Sequence, residues 1–146
     1  MTEIGFYHLT RNTLEQALPR LLGRVLALEQ RALVLCATEE RLKSLDDALW
    51  TCTTPDWLPH GTQGAALQPI FLTLEDAPAA NGAQHLFLTE GAQSAHLGAF
   101  ARAFDLFDGG DENAVIAARG RWATAKAAGH ALTYWQQGER GWEKKA

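Results

Sequence analysis

The chain has 146 residues, 47% of them apolar, which is enough for one domain with a substantial core. Thirteen Lys and Arg against seventeen Asp and Glu leave a net charge of -4, so the surface as a whole is not a basic clamp for nucleic acid. Two cysteines, Cys36 and Cys52, can build neither a disulfide framework nor a four-thiolate zinc site. No charged-then-apolar leader opens the chain, and no apolar run approaches the ~20 residues of a membrane-spanning helix, so a cytoplasmic protein with no membrane contact is expected.

Ile4 to Leu9 is a short β-rich run, followed by Thr10-Arg-Asn-Thr13, where Asn12 or Thr13 can cap a helix. Leu14, Ala17, Leu18, Leu21, Leu22, Val25 and Leu28 then recur at steps of three and four, the stripe of an amphipathic helix. Pro19 inside that stripe predicts a kink or a later start. Arg31 to Ala37 reads as a strand buried on both faces, and Thr38-Glu-Glu-Arg41 caps a second helix through Leu42, Leu45, Leu49 and Trp50. Residues 51–69 read as a long loop carrying Trp57-Leu-Pro-His-Gly61. Pro69 to Leu74 and His85 to Thr89 read as strands, parted by the turn residues 78–82. Helix signals run from Ser94 through Phe104, then a short strand over 105–108, then a last helix from about Asp111 to Ala128 that Gly129 stops.

The alternation predicts an α/β fold. Its form is a three-layer α/β/α arrangement with a mostly parallel sheet of about five strands, Rossmann-like but without a P-loop. Residues 1–146 read as a single domain, with 131–146 as a basic C-terminal tail. Charge is also divided unevenly along the chain. Residues 1–118 hold 7 basic and 15 acidic side chains; residues 119–146 hold six basic and two acidic ones. Such asymmetry marks either a docking surface for something acidic or a solvated tail.

The chemistry of catalysis is sparse. The loop after the first strand has no glycine, so neither a dinucleotide fingerprint nor a phosphate cradle fits there, and Gly61-Thr-Gln-Gly64 lacks the Lys and Ser/Thr of a P-loop. None of His8, His60, His85, His96 and His130 stands at metal-ligand spacing from another His or Cys, and no Gly-x-Ser-x-Gly elbow occurs. No cofactor, no metal and no catalytic residue is expected. The alternative is a small α/β enzyme or nucleotide-binding protein whose site has no short motif.

Five tryptophans, Trp50, Trp57, Trp122, Trp135 and Trp142, fall outside the predicted strands as candidate partner anchors, with Trp50 and Trp57 alternatively closing a satellite core under the long loop. On the last helix Arg119, Trp122 and Lys126 stand at i, i+3 and i+7 and share a face. A guanidinium beside an indole can receive a carboxylate attached to an aromatic ring. Arg121 lies about 200° round the helix from Arg119, as a flanking charge.

Several segments in order resemble the chi subunit of the bacterial DNA polymerase III holoenzyme. They are Phe6-Tyr7-His8-Leu9, Leu33 to Cys36, Leu45 to Trp50, Trp57 to Gly61, Phe104 to Asp108, Ala118 to Trp122, and the ending from Gly129 to Lys145. The resemblance implies a noncatalytic clamp-loader accessory. In that family chi joins the psi subunit and grips the acidic, phenylalanine-ended C-terminal tail of the single-stranded-DNA-binding protein, so single-stranded DNA is met indirectly. It implies a tail site at Arg119 and Trp122, with Lys126 and Arg121 as neighbouring charges. Some members carry a lysine directly after the aromatic, where this chain has Ala123. It implies a face for psi, or for another clamp-loader component, at Trp50, Trp57 and Leu58.

Overall fold

The computed structural model describes residues 2–52, 58–77 and 81–146. β1 (Glu3–Leu9) leads to α1 (Leu14–Ala27), β2 (Ala32–Leu35) and α2 (Glu39–Thr51). β3 (His60–Gly61), β4 (Ile70–Thr73), β5 (His85–Thr89) and β6 (Arg102–Asp108) follow, then α3 (Glu112–Ala127), β7 (Ala131–Gly138) and β8 (Gly141–Lys144). All the strands join one sheet in the order β3-β4-β2-β5-β6-β1-β7-β8. Among the described residues every pairing is parallel except that of β7 with β8.

Sequence pattern explains the layers. β2 and β5 lie inside the sheet and are buried along their whole lengths, as strands covered on both faces must be. The stripe of α1, with Leu18, Leu21, Leu22 and Val25, packs with Leu45 and Leu49 of α2 against Val34, Phe87 and Leu106 on one face. Pro19 is buried inside α1, which starts at Leu14 rather than later. On the other face Ala118 and Ala125 of α3 bring that helix close to Ile4, Phe6 and Phe107, and Phe100 and Leu97 from the β5–β6 connection fill the space beside it. The fold is the expected α/β/α sandwich.

Three expectations change. The sheet has eight strands rather than about five, because His60–Gly61 extends one edge and residues 131–144 extend the other. The stretch expected as a tail is a β-hairpin: Trp135 and Trp142 sit in strands, and their rings meet Tyr7 at 6.3 and 5.0 Å. No α-helix forms over 94–104. Only Leu97–Ala99 makes a 3-10 turn, because other parts of the chain bind this segment's backbone. Asp76 accepts from Ala95 N at 2.7 Å, Thr2 Oγ1 donates to Leu97 O and Phe100 O at 2.6 and 3.1 Å, and Ala101 N donates to Gln84 O. From Arg102 the chain then runs in β6 beside β5 and β1.

Candidate partner-binding site

α3 starts at Asp111, whose carboxylate accepts from Asn113 N and Ala114 N, and it ends where Gly129 turns to φ +85°, a conformation that disfavours any other residue. With Ala118 and Ala125 against the sheet, the two flanks of the helix differ. On one, Trp122 is half-buried with its ring edge-on to Phe6 at 5.3 Å and to Tyr134 of β7 at 6.0 Å. Arg119 and Lys126 stand exposed on that flank, in no ion pair among the described residues. The structure therefore brings Arg119, Trp122 and Lys126 together.

Arg121 is elsewhere. Its Nε and Nη2 hold the two oxygens of Asp105 at 2.7 and 2.9 Å, on the opposite flank. Asp105 is 2% exposed; burial raises its pKa, against the pull of Arg121. A buried carboxylate needs this partner, so Arg121 is a structural counter-ion and not a charge available to a ligand.

Beside the first flank stand two residues that no motif in the sequence marks, His8 and Tyr134. Tyr134 donates or accepts through its hydroxyl at 2.6 Å from His8 Nδ1, and both rings pack against Phe107. Gly109 permits this approach, since a Cβ there would collide with the His8 imidazole. Only the pairing of β1 with β7 brings His8 and Tyr134 together, and a segment taken for a tail hides that pairing.

At the far end of the molecule Trp50 is 65% exposed at the end of α2, with its ring 4.6 Å from that of His60. His60 is itself buried, bonded through Nδ1 to Leu58 O at 2.6 Å and set with Nε2 3.1 Å from Asp46. Trp57 lies outside the described residues. Leu58 is 2% exposed and belongs to the core, so it supports this surface from below instead of meeting a partner directly.

The crevice where an open α/β sheet binds nucleotides falls between β1 and β6, whose connections leave to opposite faces. A cleft of about 540 Å³ is present there, lined by Asn12, Glu15, Arg41, Glu90, Asp108 and Asp111 among others. Its two arginines are engaged: Arg41 pairs with Glu15 and, at 2.8 Å, with Glu90, and Arg121 holds Asp105. Backbone donors are engaged too. In the loop after β1, at the edge of this cleft, the N–H groups of Thr10, Arg11 and Asn12 converge on Gln137 Oε1 at 3.1, 2.9 and 3.1 Å, so a side chain of β7 takes donors that an anion could otherwise use. Cys36, near this end of the sheet, has its thiol pushed up to about 11 by burial. Among the described residues no group of three or more His, Cys, Asp or Glu is placed to hold a metal ion, and no helix is long and apolar enough to cross a membrane.

A search among curated proteins found no match. The family model described as DNA polymerase III chi subunit, HolC, matches residues 1–133 of the 146. That span takes in all three helices, the first six strands, Arg119, Trp122 and Lys126. The chain belongs to the DNA polymerase III chi subunit family, and with it to the accessory machinery of replication.

Proposed function

We propose that the protein is a noncatalytic adaptor that links the clamp loader or polymerase to single-stranded-DNA-binding protein by gripping that protein's acidic C-terminal tail. The observation that carries this reading is the flank of α3, where Arg119 and Lys126 stand beside the half-buried Trp122 without ion pairs among the described residues. A peptide ending in phenylalanine brings a ring for the indole, a terminal carboxylate for the guanidinium and upstream acidic groups for Lys126. Single-stranded DNA is then engaged through the coating protein. Trp50, together with Trp57 from the segment outside the described residues, is the contact for a psi subunit or another clamp-loader component, with Trp50 on a base that His60 and Leu58 hold.

The test is a titration of the purified protein with a short acidic peptide ending in Pro-Phe, followed by fluorescence anisotropy. Saturable one-to-one binding is expected. For the second surface, Trp50→Ala should leave the thermal transition unchanged, since the ring is largely exposed, and should abolish co-purification with the clamp-loader partner. Co-purification at the wild-type level would exclude Trp50 from that contact.

A further inference from the structure

We infer that an anionic ligand on the Arg119 flank is bound together with one proton, taken up by His8 and passed on as a hydrogen bond from Tyr134. The inference rests on the reading of that flank as a carboxylate site and adds two residues to it. The starting state is assigned from the groups around the imidazole. Gly109 N–H is donated to Leu9 O at 2.7 Å, and the Gly109 backbone raises the His8 pKa, as an acceptor does and a donor does not, so the imidazole faces the Gly109 carbonyl. A carbonyl only accepts, Nδ1 faces the Tyr134 hydroxyl and Nε2 lies against Gly109, so we assign the hydrogen of the neutral ring to Nε2. In the neutral ring Nδ1 is then an acceptor, and the phenol hydrogen of Tyr134 is held by it.

Adding a proton to Nδ1 reverses that bond. The ring now donates to the tyrosine oxygen, and the phenol hydrogen is released to donate to another oxygen. That hydroxyl belongs to the ring against Trp122, and the positive charge of Arg119 acts on both Tyr134 and His8. A carboxylate bound by Arg119 therefore gains a second donor and a second nearby positive charge whenever His8 is protonated.

The charged groups around His8 give the sign. Burial lowers its pKa from the usual histidine value and the Arg119 charge lowers it further, while the Gly109 bond and Asp108 at the end of β6 raise it. A bound carboxylate offsets the Arg119 charge and so raises the His8 pKa. Affinity must then rise as pH falls through the window between the bound and the free value.

The experiment measures binding of the acidic peptide ending in Pro-Phe at about pH 5.5 and about pH 8, where the peptide carboxylates stay ionised. Calorimetry in two buffers of different ionisation enthalpy counts the protons in the same samples. Wild type should bind about threefold to tenfold more tightly at the lower pH, with net proton uptake. His8→Gln, which keeps a donor for Gly109 and cannot gain the proton, should bind with little pH dependence. Tyr134→Phe should show a smaller pH effect than wild type. Equal wild-type affinity at both pH values without proton uptake overturns the inference and leaves the adaptor reading standing. So does pH dependence that His8→Gln retains in full. Absence of binding at either pH overturns both.

Discussion

Arg119 and Arg121 are two residues apart on one helix and have different roles. Arg121 is only 12% exposed in its side chain and neutralises a carboxylate inside the protein; Arg119 is in solvent on the other flank. Removing the partner of a buried charge costs about 3–5 kcal/mol, so Arg121→Met should lower the urea midpoint severely. Arg119→Ala should leave stability within about 0.5 kcal/mol of wild type. It should weaken the peptide contact by about tenfold to a hundredfold, the effect of losing a charge-assisted bond of about 1.5–3 kcal/mol. Equilibrium unfolding and anisotropy on both variants check the pair, and equal stability of the two would mean that the Asp105 contact carries nothing. The helical spacing reveals that the two arginines diverge, but not that Arg121 has a buried partner, because Asp105 comes from a strand sixteen residues earlier.

The hairpin of β7 and β8 changes how the C-terminal part of the chain is understood. Trp135 and Trp142 close the core beside Tyr7, and Gln137 ties β7 to the loop after β1. Trp142→Ala should therefore cost about 2–4 kcal/mol in chemical denaturation, whereas a solvated tail would lose nothing. The helices were legible from their apolar stripes and caps, and β2 and β5 from their continuous apolar runs. The hairpin was not, since its alternation of Leu132, Tyr134 and Gln136 with Thr133, Trp135 and Gln137 is weakly polarised and both faces are half covered. The missing helix over 94–104 is the converse case. There the apolar spacing suits a helix, and bonds from Thr2 and Asp76, far away in sequence, decide against it.

Across the whole molecule the crevice at the carboxyl ends of β1 and β6 has its arginines and the N–H groups of the adjoining loop engaged by the protein's own residues. Arg41 faces two glutamates, and Gln137 takes the loop N–H groups. Calorimetry with ATP and magnesium should give no saturable heat, and a one-site micromolar isotherm would reinstate nucleotide binding. Stability should also depend on pH. Burial lowers the pKa values of both His8 and His85, so the native state holds them neutral while the unfolded chain takes up their protons near the ordinary histidine value. The stability they contribute is present above that value and is lost as pH falls through the folded values. The urea midpoint should decline from about pH 7 to about pH 5, and His8→Gln should shallow that decline.

The central claim is that a ligand of acidic peptide character is held on the Arg119 flank of α3, and one titration tests it most directly. Wild type and Arg119→Glu are titrated with the acidic peptide ending in Pro-Phe at low and at moderate salt, with the fold of each verified by circular dichroism. Wild type should bind one peptide, more weakly at higher salt yet still measurably, because burial of the ring is not screened. Arg119→Glu, which adds repulsion to the lost contact, should bind more than a hundredfold more weakly, by an estimate on the order of 3 kcal/mol or more. A folded Arg119→Glu protein that binds the peptide as tightly as wild type would contradict the account.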